Sequence, residues 1–368
     1  MNKSTFNHDV TYIALENFVQ RNFEIAFEVF HKLQESDDLF VKEFVLVVGQ
    51  EELYESLMYH KEIINSIFVT KNYQLIEEFF VWKYSVYQSR GINVDCFLVE
   101  YDLWQHSIAN HLYQSHGSEI SMIYDYLIFM HEHFKTLALS PKKVLVDENY
   151  KNVFDALCLS LLSGQKEEFY MIIEKNLPIF KGDIFKFIEE IIDPLMYEIG
   201  HMWQYNKLSV AKEHLATQLT SEIIDMFFVK VNKSHEKRAR AIVSTVGDES
   251  HNLGVKIVGR FLDSCGFDVK KLGSKISNNE LLSSVYELKP DVLVLSVTLA
   301  SNIATLQKIV DELKSDENIF KGLVIVGGQA LFSGEKKINI VGADFCSKNL
   351  DDLKNFLTMA IPPVVDLG

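Results

Sequence analysis

The sequence predicts an α + α/β protein in three parts: an N-terminal all-helical domain over residues 1–140, a four-helix bundle over 150–231 and a parallel-sheet domain over 238–360. Three observations carry this expectation. From Met1 to about Lys230 apolar residues recur at helical spacing with few glycines and prolines; Leu75, Ile76, Phe79, Phe80, Trp82 and Val86, for example, fall mainly on one face. From Ala239 onward short apolar runs (Ala241 to Val246, Val292 to Val297, Leu323 to Val326) alternate with amphipathic segments and are bounded by Gly, Asp or Ser. That is the pattern of buried parallel strands joined by crossover helices. Between the two helical parts, residues 140–149 (SPKKVLVDEN) interrupt the period with a proline and charges.

The first domain is acidic and rich in Phe and Tyr. It holds His8, His31, His60, His106, His111, His116, His131 and His133, but none at the spacing of a zinc site. The segment from Trp82 to Trp104, with Tyr84, Tyr87, Arg90-Gly91 and Tyr101, is expected to form an aromatic-lined groove; packing within a core or a dimer is the plainer reading.

The second part ends one helix at Ile199-Gly200-His201-Met202-Trp203, and Ser209 is a suitable N-cap for the next. Val210, Glu213, His214 and Thr217 then share a helix face at spacings i, i+3, i+4 and i+7. Trp203 with Glu213 and His214 would make a small apolar pocket with two polar groups; an ordinary bundle core with a solvated Glu–His pair fits the same residues. Residues 231–237 read as a polar linker.

In the third part the strand AIVSTV runs into the loop Gly247-Asp248-Glu249-Ser250-His251-Asn252-Leu253-Gly254, followed by a helix and the strand FDVKKLG. A loop between strand and helix lies at the carboxyl edge of a parallel sheet, where open α/β folds bind ligands. His251 sits in that loop as a candidate metal ligand. Glu249, two residues earlier, is placed to accept a hydrogen bond from the ring nitrogen that does not bind metal, which would orient the ring and raise its basicity. The loop has only Gly247 and Gly254 and no following Gly-Lys-Ser/Thr, so neither a dinucleotide fingerprint nor a phosphate loop is present.

The net charge of −15 disfavours direct nucleic-acid binding. Lys237, Arg238 and Arg240 read as a solvated stretch before a strand. The stretch from Met1 to Val10 is polar, no apolar run suits a membrane helix, and Cys96, Cys158, Cys265 and Cys346 form no CxxC pair. A cytoplasmic protein with reduced cysteines is expected.

Glu-x-His-x-x-Gly after the first strand, with Leu272-Gly273, Ser296-x-Thr298 and Gly327-Gly328-Gln329, resembles the Rossmann-like (flavodoxin-like) cobalamin-binding domain. The resemblance implies that His251 displaces the cofactor's own benzimidazole from cobalt. The freed nucleotide tail would enter a slot between sheet and helix, where Gly254, Ser296, Gly327 and Gly328 leave room. Ser250, Asn252, Leu253, Gly273 and Thr298 would line the same site.

Trp203, nine intervening residues and Glu213-His214 are similar to the four-helix cap of CarH-type adenosylcobalamin photoreceptors. There the Trp and the Val (here Trp203 and Val210) contact the adenosyl group and the Glu helps hold it. The chain departs from these patterns in three places. Corrinoid enzymes usually carry Asp where this chain has Glu249, and Glu is associated with the regulatory branch. Gln204 stands where a photoreceptor has a cobalt-capturing His. No helix-turn-helix of the MerR type precedes the cap.

The resemblance therefore implies a cobalamin-dependent sensor of light, acting through homo-oligomer changes or an unidentified protein partner. The alternatives are a corrinoid carrier of a methyltransferase system, or a haem sensor on the same fold. By analogy with photoreceptors that pair a cobalamin domain with a bilin-binding helical domain, residues 1–140 are a place for a second chromophore, bilin or haem.

Overall fold

Helix starts follow the capping residues in the sequence. In the computed structural model, which describes residues 6, 8–141, 143–231, 237–315, 320–333 and 336–362, Thr11 caps α1 (Tyr12–Gln34) and Asp38 caps α2 (Leu39–Val48) through their side-chain oxygens. Helices α3 (Gln50–Thr70), α4 (Gln74–Gln88), α5 (Cys96–His111) and α6 (Gln114–Ala138) follow. Residues 1–5 and 7, and 232–236 of the expected linker, lie outside the described residues.

The chain divides into two compact units. One comprises Met1–Pro141 with Leu299–Gln307 and Ala330–Asn339; the other comprises Lys142–Thr298, Lys308–Gln329 and Ile340–Gly368. The two late segments of the first unit were expected within the sheet domain. Ser66 explains part of their grouping, since its hydroxyl accepts the Ala304 N–H at 3.2 Å and faces the Ser301 carbonyl at 3.4 Å.

The expected aromatic groove between Trp82 and Trp104 is largely filled. Tyr84, Tyr101 and Trp104 are fully enclosed, and they meet Phe80, Phe97, Tyr124 and Phe134 in edge-on and stacked contacts. Rings at 5–6 Å centroid spacing are a packed core, since edge-to-face contact is the favoured geometry for aromatic side chains.

Three charged or polar groups sit inside that core. Lys83 Nζ lies 2.7 and 2.8 Å from the two Glu100 oxygens, and His60 Nδ1 lies 3.0 Å from Oε1. Burial alone would raise the Glu100 pKa, but the Lys83 ammonium and the His60 bond outweigh it and hold the group at about 2. Burial pushes His60 down to about 4, so its ring is neutral. A second cluster joins His131 to Tyr84 Oη at 2.6 Å and to Asp95 at 2.9 Å. Asp95, His131 and Glu132 are the one metal-like grouping among the described residues, yet Lys135 Nζ is 2.8 Å from Asp95, and both His131 nitrogens are engaged. It is an ion-pair cluster.

The second unit begins with the four-helix cap: α7 (Lys151–Leu162), α8 (Lys166–Asn176), the run α9 (Ile184–Phe187), π turn Ile188–Ile192 and α10 (Asp193–Gln204), then α11 (Val210–Phe228). Ser209 caps α11 as expected, accepting the Lys212 N–H at 3.4 Å. Strands β1 (Ala239–Thr245), β2 (Phe267–Gly273), β3 (Val292–Ser296), β4 (Leu323–Gly327) and β5 (Phe345–Ser347) form one parallel sheet in the order β2-β1-β3-β4-β5. Helices α12 (Leu253–Ser264), α13 (Asn278–Leu288), α14 (Ile303–Lys314) and α15 (Leu350–Ala360) follow β1, β2, β3 and β5 in sequence. The order reverses direction at β1, so the switch point lies beside the loop that holds His251.

Cap and sheet domain share a hydrophobic core. Phe185 meets Phe228 at 5.6 Å and Phe261 of α12 at 5.3 Å, while Lys256 Nζ bonds Asp225 at 2.7 Å.

Removing Lys83 leaves Glu100 ionised and enclosed without its cation. Lys83→Met is expected to cost roughly 3–5 kcal/mol of stability in the first unit, measured by urea denaturation; no loss would mean the pair is not buried. Acid acts in the same direction. His60 resists a proton in the fold, so stability is present above 6.5 and falls as pH drops toward 4, followed below pH 4.5 by Glu100.

Candidate cofactor site

Glu249 leaves β1 into the loop before α12 and is completely enclosed. Its Oε1 accepts the His251 backbone N–H at 3.1 Å and also bonds the His251 ring at Nδ1. Its Oε2 accepts the Thr298 N–H at 3.1 Å, tying the loop to the end of β3, and its carbonyl accepts the Lys275 N–H at 3.2 Å. The hydrogen bond that the ring donates to Glu249 raises the His251 pKa, opposed by burial and helped by the charges of Glu249 and Glu213. With Nδ1 held, Nε2 is the ring nitrogen left for another partner, and the side chain is 51% exposed. This is the arrangement of a metal-ligating histidine fixed by a carboxylate.

The neighbouring loop residues Ser250, Asn252 and Gly254 are exposed and Leu253 is half-buried. Together they make a shelf at the carboxyl edge of the sheet. The β1–β2 register slips between Val243 and Ser244, so Ser244 pairs with Gly273, which has φ +87°. Such an irregularity re-aims the strand ends beside a site. Ser296 pairs with Thr245 on one side and Gly327 on the other, half-buried at the sheet edge.

The glycines divide by cause. A Cβ on Gly254 would meet only the Ser296 hydroxyl, at 3.8 Å, so the gap between α12 and β3 is open at this point. At Gly328 the chain's own backbone supplies a further reason for glycine, beside any room it leaves for a ligand tail. With φ +107° and a Cβ position 2.3 Å from the Val297 carbonyl, no other residue fits. Gly327 is intermediate, with the Ser347 carbonyl 3.2 Å away.

The cap contributes unevenly. Glu213 stands near enough for its charge to act on His251, and it accepts the Thr217 hydroxyl at 2.9 Å. Trp203 is half-buried against the cap core. Val210 is 51% exposed. His214 is 74% exposed and lies 3.6 Å from Glu213, while it is Glu213 whose charge acts on His251. Sequence reading missed the Thr298 N–H as a holder of Glu249, because a backbone donor leaves no residue-type signal.

Comparison with known proteins bears on this geometry. Residues 239–347 match a family model described as a B12 binding domain, and residues 153–227 match a second model of the same description. Both stretches are B12-binding domains. The two matches correspond to the sheet domain and to the cap, so the cobalamin-binding family accounts for the unit that holds His251.

The repressor CarH of Myxococcus xanthus is 24% identical over 147 residues, 39% of this chain and 48% of that protein, so the chain spans about half the length of this relative. Dimethylamine corrinoid protein 3 of Methanosarcina acetivorans is 21% identical over 194 residues, 52% of this chain and 89% of that protein. The structure of the Methanosarcina barkeri monomethylamine corrinoid protein superimposes with a TM-score of 0.49 at 18% identity, covering 57% of this chain and 99% of that one. No helix among the described residues is long and apolar enough to cross a membrane.

Glu249→Gln weakens the acceptor at Nδ1 and removes the charge beside the ring. The His251 pKa is then expected to fall, read by nuclear magnetic resonance titration of the ring protons in the unliganded protein. An unchanged titration would contradict the hydrogen bond as its cause.

Proposed function

We propose that this chain is a corrinoid-binding carrier: its cap and sheet domain would hold cobalamin, with His251 as the residue offered to cobalt and the cap residues Trp203, Val210 and Glu213 covering the cofactor. The observation that carries the reading is the His251 ring, held through Nδ1 by an enclosed carboxylate and half exposed on the carboxyl edge of the sheet. Bound cobalamin would supply cobalt-centred ligand exchange; the protein's part is to orient His251, leave the gap at Gly254 for the nucleotide tail, and cover the cofactor with Trp203, Val210 and Glu213. Ser250, Asn252, Leu253, Gly273, Ser296, Thr298, Gly327 and Gly328 border the same space. His214, turned to solvent, is placed at its rim.

The carrier reading draws support from the corrinoid proteins, whose length is matched almost throughout, against about half of CarH. In this reading the protein partner is a methyltransferase and the chain itself is a binding protein.

A second reading is favoured by specific residues. Glu249 in place of Asp, the Trp203–Glu213 cap and the additional helical unit fit an adenosylcobalamin-dependent sensor of light. A bilin or haem in residues 1–140 would belong to that reading, although the rings between Trp82 and Trp104 pack on one another.

One experiment separates them. Purified protein is loaded with methylcobalamin or adenosylcobalamin in the dark, and spectra and size are recorded before and after green light. The carrier reading predicts spectra of a His-ligated corrinoid and no light-dependent change in size with the adenosyl form. A light-driven size change replaces it with the sensor reading. No corrinoid binding, with a Soret band instead, overturns both.

Self-association belongs to the same proposal. Tyr12, Val19, Phe23 and Phe27 on α1 and Leu39, Phe40, Leu46 and Val47 on α2 are exposed large apolar side chains, the residue type that interaction surfaces gather. Phe23→Glu with Phe27→Glu is expected to turn a dimer into a monomer in sedimentation velocity runs; a wild-type monomer at tens of micromolar would contradict it.

A further inference from the structure

Ser66 is a hydroxyl set in the most enclosed stretch of α3. Ile63, Ile64, Asn65, Ser66, Ile67 and Phe68 are buried in succession, so every face of this helix end is covered. Ser66 itself is fully enclosed. A hydroxyl in such a place is costly unless it is hydrogen-bonded. Its oxygen accepts the Ala304 N–H at 3.2 Å, and its proton is donated to the Ser301 carbonyl at 3.4 Å. Ala304 lies in the first turn of α14, where backbone N–H groups lack acceptors within their own helix. Ser66 therefore caps α14 from another helix.

The capped segment starts at the cofactor loop. Leu299–Gln307 groups with the helical unit, and Thr298, the residue before it, belongs to the other. The Thr298 N–H holds Glu249 Oε2 at 3.1 Å, and Glu249 in turn holds the His251 ring. The Val297 N–H is fixed by the Gly327 carbonyl at 2.9 Å. Only Leu299 and Ala300 separate Thr298 from Ser301, at most about 10 Å of chain even when extended. A 3-10 turn over Ala300–Asn302 tightens it further, with the Asn302 N–H on the Leu299 carbonyl at 3.0 Å. Beyond the turn, Ile303 and Leu306 are fully enclosed. A connector this short, held at both ends, has no slack.

We propose that Ser66 is a positioning residue for the His251 loop. It acts through Ser301 and Ala304 on Thr298, and through Thr298 on Glu249. The inference rests on the cobalamin reading in taking that loop as the cofactor site. With the hydroxyl in place, the turn and the start of α14 are fixed, and the Thr298 N–H stays aimed at the carboxylate. Without it, the Ala304 N–H loses this acceptor in an enclosed place, which is costly. The turn then shifts toward other acceptors, and Thr298 moves with it. Glu249 is held less firmly, and so is the His251 ring. The helical unit thus fixes one end of the loop that orients the candidate cobalt ligand, across the peptide bond where the chain passes between units.

The test uses the full chain as wild type, Ser66→Ala, Ser66→Thr and Ile25→Val. Ala is a stronger helix former than Ser, so α3 persists without the hydroxyl. Thr keeps the hydroxyl. Ile25 is fully enclosed on α1, and shortening it lowers the stability of the helical unit without removing a hydrogen bond. Hydrogen exchange of the Thr298 amide is followed by nuclear magnetic resonance in unliganded protein labelled with 15N-threonine. Ser66→Ala is expected to speed this exchange about tenfold, the scale of a lost helix cap. Release of hydroxocobalamin from the loaded protein is expected to quicken about fivefold, less than for loss of a direct holder of the ligand. Ser66→Thr stays near wild type in both, and so does Ile25→Val although its thermal melt is lowered.

Thr298 exchange or cobalamin release at the wild-type rate in Ser66→Ala overturns the proposal. So does an equal acceleration in Ile25→Val, which reduces the effect to general stability. If Ser66→Ala does not fold, Ser66→Cys takes its place, since a thiol is a weaker donor and acceptor. Wild type that takes up no cobalamin overturns the cofactor reading, while the exchange measurement still decides the link from Ser66 to Glu249.

Discussion

The second unit is organised around one enclosed carboxylate. Glu249 accepts from the His251 backbone, bonds the His251 ring and accepts from the Thr298 backbone, so a single side chain fixes the tautomer, the ring orientation and the closure of the β1 loop onto β3. An enclosed charge persists only when its oxygens are satisfied. Here the satisfying donors are the elements that have to be brought together. Position and chemistry are therefore set by the same bonds: the loop cannot relax without leaving the Glu249 charge unsatisfied in a dry environment, and the ring cannot turn without losing its acceptor.

A similar device appears in the helical unit with the opposite consequence. His60 Nδ1 also meets a carboxylate, Glu100, but Lys83 shares that carboxylate and aromatic rings surround the imidazole. Burial lowers the His60 pKa, whereas the Glu249 bond raises that of His251. One pair sits inside a core and the other at a surface shelf. The His251 side chain is half exposed and that of His60 is fully enclosed, so only the first is open to a partner from outside the chain.

The sequence made the strands β1, β3 and β4 legible because runs buried on both faces read as continuous apolar stretches, whereas β2, FDVKKLG and only partly buried, was legible from its place after the helix that follows the His251 loop. Strand β5 escaped notice, being three residues long and paired only with the end of β4. The His251 loop and the Ser209 cap were visible as residue types at fixed spacing. The Lys83–Glu100 pair was not, since its partners lie on different helices, 17 positions apart. Nor does any residue pattern announce the π turn before Asp193, because apolar spacing tolerates one extra residue. Gly328 shows a glycine with a cause the sequence does not display: whatever room it leaves for a ligand, Val297 of the same chain already demands it.

The central claim is that His251 Nε2 meets the metal of a bound corrinoid. Its most direct test is electron paramagnetic resonance of the protein loaded with cobalamin reduced to the cobalt(II) state, prepared once with ordinary histidine and once with 15N-labelled histidine. Coordination by His251 predicts that each three-line nitrogen splitting collapses to two lines on labelling, and that the labelling effect vanishes in His251→Ala. A three-line splitting unchanged by the label would assign the axial nitrogen to the cofactor's own benzimidazole and contradict the account.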